Sequence, residues 1–516
     1  MTDTVIVGGG IAGMSAAVSL ASAGKRIVLL ESRPHLGGRA WSYRDRESGD
    51  HLDNGQHIML GCYSATFRFL RILDVVPEGV VKLRVTVTGQ EDVSPPHPLW
   101  AVFRGGGQSR FNKKRAARHR SRTPNEGRTD IPLLSCMERM TIPMRRAGGN
   151  TAVLRAGTLP VPFNTAQMVM GYGFLPVIDR WKVLRLAFRL ARMGRRIMPD
   201  LDTIPAAAWL RAVGQSDNAV RTLWNPICLA TMNADVEDAS AYLFALVLRE
   251  IFLHNRQAQA VYLPAVGLSD IFARPAADYL TRHGAVIRLG RKVQSVSLHE
   301  DHVEVRCSDG SCQRARYMII ALPPWSLKPL LDASGLRFLW ADDLPLFRPS
   351  SILSIHLWSH DRITDMPMTG LLSTRLQWVF DKGRSVEGMW RIACTISAYV
   401  EKGKEAENEV GQWVFSDLQR VYPTFDPTSV FRVRVHRERH ATVLHQPGLE
   451  AKRPGTGSGH RRFLLAGDWT ATNLPGTIES AVISGFRAAE TVLGSLLGEG
   501  NENVVGGDAD GEVSHE

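Results

Sequence analysis

The stretch "TVIVGGGIAGMSAAVSLASAGKRIVLLE", Thr4 to Glu31, decides the fold. Thr4–Val7 is a short apolar, β-branched run that reads as a buried strand. Gly8-Gly9-Gly10-Ile11-Ala12-Gly13 follows at once, and Met14 to Ala23 is Ala-rich and helical up to Gly24. "RIVLLE" then reads as a second strand, which completes a β-turn-α-turn-β unit of about thirty residues. In this GxGxxG, Gly8 permits the tight turn, Gly10 admits a pyrophosphate against the backbone, and Gly13 lets helix and strand pack closely. The helix amino terminus offers free N–H groups and positive potential to phosphates. Taken alone the glycine pattern is weak. Here it lies between a strand and a helix, and Glu31 ends the second strand, where a carboxylate can accept hydrogen bonds from ribose hydroxyls. The competing reading, a glycine turn that binds nothing, leaves Glu31 without a purpose.

"ESRPHLGGRA", Glu31 to Ala40, chooses between dinucleotides. Gly37 and Gly38 give a second close backbone approach and Arg39 a cation, as the longer FAD would use. The segment resembles the motif of the flavin amine oxidase and phytoene desaturase superfamily. That resemblance implies Glu31 on the adenosine ribose and Arg39 near the flavin. "LLAGDWTATNLPGTIESAVISG", Leu464 to Gly485, resembles the superfamily's closing FAD motif, with Asp468 toward ribitol and pyrophosphate and a helix starting near Thr477 aimed at the ring. The expected cofactor is FAD, and the cofactor-binding set is Gly8, Gly9, Gly10, Gly13, Glu31, Gly38, Arg39, Gly55, Val293, Gly467, Asp468 and Thr477. No metal is expected.

"HLDNGQHIMLGCY", His51 to Tyr63, places Asp53, Asn54, Gln56 and His57 around Gly55, just where the superfamily chain passes the flavin ring. This segment is similar to the hydroxysqualene dehydroxylase family, also described as squalene-associated FAD-dependent desaturases. So are "WNPICLATMNADVEDASAYLFALVLRE" from Trp224 and "IIALPPWSL" from Ile319. The resemblance covers most of residues 1–85 and 147–497. It implies loss of the hydroxyl of hydroxysqualene and gain of hydride, giving squalene for hopanoid or sterol synthesis. The leaving hydroxyl needs a proton and the allylic cation needs shielding from water. His57, oriented by Asn54 or Gln56, is the candidate acid. In the blander reading all these groups only hydrogen-bond the flavin and nearby backbone. Alternatives within the superfamily are a carotenoid (phytoene-type) desaturase and an amine oxidase. The long-chain isoprenoid needs oily walls, for which Phe174, Trp224, Met232, Tyr242, Phe244, Trp325, Trp358, Trp378 and Phe380 are candidates by position; ordinary core packing competes for each.

The expected fold class is α/β: a Rossmann-type FAD-binding domain assembled from residues 1–85, 265–325 and 460–497, plus a mixed α+β substrate domain from 147–264 and 326–459. At 516 residues the chain is too long for one ordinary domain, and 44% hydrophobic with 22% charged residues is a globular balance. The net charge of +11 is concentrated between Arg104 and Arg146, with twelve Lys/Arg against three Asp/Glu. This basic stretch, 88–146, reads as a disordered insertion; the acidic tail, 498–516, reads as disordered too. Nucleic-acid binding is not expected, because Phe111 is nearly the island's only stacking aromatic. A catalytically dead scaffold is the third alternative. Without a signal peptide or an apolar run of eighteen residues the expectation is a cytoplasmic protein, with contact at the inner membrane face. That contact would use an amphipathic helix within 174–199, where Lys182, Arg185, Arg189, Arg192 and Arg196 share one face beside Trp181, Leu184, Leu186 and Phe188. The six cysteines are scattered, which argues against zinc and against disulfides. The electron donor is a partner of unidentified kind.

Overall fold

The computed structural model describes residues 2–75, 80–85, 91–93, 133–192, 199–401 and 406–505. The glycine-rich unit folds as its sequence dictates. Strand Thr2–Val7 sits in the middle of a sheet with Ile27–Leu30 parallel on one side and the end of Cys312–Ile320 parallel on the other. Val286–Arg288 extends the parallel array beyond Ile27–Leu30, and Phe463–Leu465 pairs in parallel with Met318–Ile320. The chain's two ends therefore meet in one sheet. Strands buried on both faces become continuous apolar runs, and "IVLL" and "FLL" are just that.

Helix Ile11–Ser22 crosses one face of this sheet with helix Ile478–Val505 laid against it. Two glycines permit the approach. A Cβ on Gly13 would lie 1.9 Å from the Gly8 carbonyl oxygen, and one on Gly485 would lie 2.2 Å from that of Ala12. The last helix also reaches sideways: Glu479 accepts hydrogen bonds from the N–H groups of Ala65 and Thr66, both at 2.8 Å, at the start of helix Ser64–Ile72. A carboxylate there satisfies amides that a helix start leaves open.

A second sheet of seven strands carries the other half of the molecule, in the order 151–155, 141–145, 368–371, 378–384, 390–397, 349–359, 430–443. Alternation divides its two faces. Leu353, Ile355, Leu357, Val379, Ile392 and Cys394 form a core with Val410, Val414 and Leu418 of helix Glu407–Val421. The intervening residues look toward the first sheet.

Two expectations need correction. The basic stretch 88–146 does not end in disorder: Leu134–Met137 and Thr141–Arg145 are buried strands, the second one inside the seven-stranded sheet. They alternate too briefly to stand out beside the arginines; the first takes its register from distant Val261–Pro264, the second from neighbouring Thr151–Arg155 and from Gly370 and Leu371. Residues 94–132, with Phe111 and most of the basic island, lie outside the described residues. The last helix runs to Val505, past the expected start of the tail at 498, and the remainder, 506–516, also lies outside them. No disulfide joins any of the six cysteines, all of which are among the described residues.

Candidate flavin and substrate site

Between the two sheets lies a cavity of about 430 Å³. Its floor is the glycine cradle. Gly8 takes φ +106, and a Cβ there would stand 2.7 Å from the Ala321 carbonyl oxygen; a Cβ on Gly38 (φ +59) would stand 2.9 Å from the Gly10 Cα. Only glycine leaves this floor open. The helix that starts at Ile11 has no side-chain cap and no acid in its first turn, so its leading amides are left for an anion. Glu31 is held in place by the N–H of Gly9 (2.6 Å) and of Arg33 (2.8 Å). This cradle, with its open helix start and fixed acid, fits the phosphates and ribose of a dinucleotide.

Arg39 and Asp468, 429 residues apart in the chain, form a hydrogen-bonded ion pair of 2.6 Å at the edge of the cavity. Arg39 also donates to the Ala441 carbonyl at 3.0 Å and lies 6.0 Å from the Trp325 ring centre. The pair joins the second glycine motif to the closing motif.

Of the residues expected at the cofactor, Gly8, Gly10, Glu31, Gly38, Arg39, Gly55, Gly467, Asp468 and Thr477 line the cavity. Gly9 and Gly13 stand behind it, Gly9 donating to Glu31 and Gly13 packed on Gly8. Val293 is not in the lining; it opens an antiparallel strand opposite Cys307, beside a register shift. Asn54, Gln56 and His57 all line the cavity. Asn54 donates to Glu438 at 3.4 Å, while its buried Oδ1 has no partner among the described residues. Burial holds the His57 imidazole below its ordinary value of 6.5; Asp53 opposes this and Arg39 reinforces it. Asp53 itself turns away from the main cavity, accepting from Ser42 Oγ at 2.7 Å and the Leu268 N–H at 3.0 Å.

The oily walls differ in part from expectation. Met232, Trp325, Trp378 and Phe380 line the cavity. Phe174, Trp224, Tyr242 and Phe244 pack in the core around helix Ala241–Phe252, and Trp358 donates its Nε1 to Asp50 at 2.7 Å. Sequence position could not separate these sets, since both are aromatic residues in apolar surroundings. Residues missed by sequence reasoning are Ile352, Met368, Thr395, Ser397, Glu438 and Thr442, which line the cavity from the second sheet, and Asn233. The period-two pattern of "SSILSIHLWS" was the available signal for that sheet's inward face. Asn233, in the left-handed region (φ 50), pins the sheet by donating to Thr442 Oγ1 at 3.0 Å and accepting from the Ala398 N–H at 2.7 Å. Away from the cavity, His299, His302 and Glu304 cluster on the hairpin 293–307, with Asp301 and Arg314 as their ion-pair partners.

The family model for flavin containing amine oxidoreductase matches residues 11–493. Hydroxysqualene dehydroxylase of Zymomonas mobilis is 26% identical over 502 residues, 96% of this chain and 99% of that protein. The probable zeta-carotene desaturase of Synechococcus elongatus is 22% identical, covering 95% of this chain and 98% of its own length. Among solved structures, cyclohexylamine oxidase from Brevibacterium oxydans superposes with a TM-score of 0.65 at 15% identity, covering 96% of this chain and 99% of that one.

Proposed function

The chain belongs to the flavin containing amine oxidoreductase family, and from that premise we propose that it binds FAD and reductively dehydroxylates hydroxysqualene to squalene. The supporting observation is the split character of the cavity wall. Ile58, Leu60, Met232, Met368, Trp378 and Phe380 offer hydrocarbon contact, while Asn54, Gln56 and His57 form one compact polar patch. A thirty-carbon chain with a single hydroxyl matches that division. A carotenoid hydrocarbon would leave the patch without a partner, and buried polar groups without partners are unfavourable by about 1–3 kcal/mol each.

Gly8, Gly10 and the open helix start would hold the pyrophosphate and Glu31 the ribose, while the Arg39–Asp468 pair joins the two motifs. When bound and reduced, the flavin supplies hydride. His57 holds a proton on a ring nitrogen and gives it to the departing hydroxyl, which leaves as water. The apolar wall keeps other water from the allylic cation. Anaerobic mixing of reduced holoenzyme with hydroxysqualene should reoxidise the flavin as squalene forms one for one, while phytoene should leave it reduced. His57→Ala should slow that single turnover roughly 100-fold. Unchanged turnover would remove His57 from the acid role, and absence of squalene in the wild type would end the reading.

Substrate this insoluble has to arrive from a lipid phase, and the chain carries a face suited to one. Helix Val177–Arg192 exposes Val177 (61%), Ile178 (63%), Trp181 (60%) and Phe188 (60%), with Phe163 (61%) on the adjoining helix Phe163–Gly171. Leu186 is buried against the body instead, and Arg196 lies outside the described residues. Arg185, Arg189 and Arg192 are exposed beside this apolar set. Apolar side chains ringed by cations suit an anionic bilayer surface. Among the described residues no helix is long and apolar enough to cross a membrane. Reversing the three arginines to glutamate should weaken co-sedimentation with anionic vesicles at low salt by roughly 100-fold, at about 1 kcal/mol per basic residue removed. Equal binding by the variant, or none by the wild type, would discard the docking face.

A further inference from the structure

Behind the polar patch lies a second, much smaller cavity of about 10 Å³, room for roughly one water. It is lined by His51, Asp53, Gln56, His356, Lys382 and Arg391, with Trp358 at its side. Gln56 lines both cavities, so one side chain borders the two.

The register explains how these groups meet. Directly paired residues share a face. His356 stands opposite Ala393, which stands opposite Phe380; Trp358 stands opposite Arg391. The face that offers Phe380 and Trp378 to the substrate thus turns polar two residues further along. His356 is only 5% exposed, and its Nε2 has no partner among the described residues. An unpaired buried nitrogen facing a water-sized space is the usual mark of a bound water.

Lys382 is equally unusual. The one hydrogen bond of its ammonium among the described residues, to the Pro264 carbonyl, is a long 3.4 Å. The neighbouring acids are engaged elsewhere: Asp381 with Arg362 at 2.8 Å, and Asp50 with Trp358 Nε1, the Val386 N–H and Arg391. Arg391 also donates to the carbonyls of His51 and Lys382, both at 3.3 Å. Asp53 keeps one oxygen for Ser42 and Leu268, and its other oxygen takes no hydrogen bond from the described residues.

We propose that Lys382 is the proton reservoir of the dehydroxylation, joined to the reacting hydroxyl through a water seated on His356 and Gln56, the open oxygen of Asp53, and His57. The proposal rests on the dehydroxylase reading given above. Lys382 releases a proton to the water, which passes one to Asp53 and on to His57. His57 protonates the hydroxyl, the C–O bond breaks, and the oxygen departs as water. Reduced flavin, when bound, would supply the hydride the carbon needs, and neutral Lys382 regains its proton from solvent on the side of exposed His51. Electrostatics suit this order. Burial lowers Lys382 from 10.5, lowers His57 from 6.5, and brings His356 to about 4, while the Asp53 charge raises all three. Burial is the largest cause at each of the three, and the Asp53 charge is their common counterweight.

The structure of the holoenzyme should show an ordered water within hydrogen-bond distance of both His356 Nε2 and Lys382 Nζ, and a dry cavity would overturn the proposal. In single turnover with hydroxysqualene, the wild-type rate should fall as pH rises through the lysine's lowered value. Lys382→Met should be at least ~10-fold slower, with that fall moved to the lower pH of His57. Ethylamine should restore Lys382→Ala in a concentration-dependent way, which a packing defect would not allow. His356→Phe, which fills the water's place, should reproduce the loss if the lysine variants do not retain FAD. An unchanged pH profile, or loss without amine rescue, would reject the role. Should the wild type not convert hydroxysqualene at all, the reaction reading is what fails; the water and the lysine's titration, followed by NMR of labelled lysine, then decide the site separately.

Discussion

A Gly13→Val variant is expected to purify colourless. The added Cβ would meet the Gly8 carbonyl oxygen at 1.9 Å and the Ala321 Cβ at 3.3 Å, and the first is a backbone atom that no rotamer change can move. Relief by moving that carbonyl means rebuilding a turn in which Gly8 already holds φ +106. Relief by lifting helix Ile11–Ser22 means pushing it into helix Ile478–Val505, which touches it through Gly485. Either movement opens the cradle floor and detaches the helix start from the phosphates. Overpacking in a rigid core costs about 1–3 kcal/mol, and lost cofactor stabilisation adds to it. The thermal midpoint should fall by several degrees and the visible flavin absorbance of the purified protein should vanish. Gly494→Ala is the control: nothing lies within 4 Å of its would-be Cβ, and the helix should gain slightly. A yellow Gly13→Val protein with an unchanged melt would show that this contact is not what shapes the cradle.

Arg39→Ala should weaken FAD binding roughly 100-fold, the second of the large effects. It strips the partner from Asp468, whose side chain is 5% exposed, and leaves that carboxylate beside the expected position of two phosphates. Truncating one member of a buried, hydrogen-bonded ion pair costs about 2–5 kcal/mol, mainly through the charge left behind. The lower part of that range applies, because Arg39 is 31% exposed and partly hydrated. The signature is the double variant: Arg39→Ala with Asp468→Ala should bind FAD more tightly than Arg39→Ala alone, since the stranded charge is gone. Titration of apoprotein with FAD measures all three. Equal affinities for the single variant and the wild type would mean that the pair closes the protein without touching the cofactor.

How much of this was legible beforehand follows from where the information lies in the chain. The cradle is local: a strand, three glycines, a helix and an acid within thirty residues each need their residue type for a reason that holds in any context. The closing motif was readable for the same cause, and so was the amphipathic helix Val177–Arg192, whose 3.6-residue period needs no partner. The second sheet was harder to read. Its strands are gathered from 141–155, 349–397 and 430–443, and only the register tells which residues of each strand look inward. Thr141–Arg145 was hidden among arginines that set the character of its surroundings. His356 and Lys382 are single residues, 26 apart, whose proximity exists only across that sheet. Asp53 was grouped with its ring-facing neighbours, yet Ser42 and Leu268 hold it to the other side.

Because the last strand and last helix complete a pocket begun by the first, no partly synthesised chain can hold the cofactor. Phe463–Leu465 and the helix from Ile478 are made long after helix Ile11–Ser22, and until then the flank of that helix which the last helix covers stays open. A premature stop anywhere before that point yields a product that is apoprotein by construction and sticky by composition, fit for proteolysis. Flavin uptake in this architecture thus reports that the closing helix has been made.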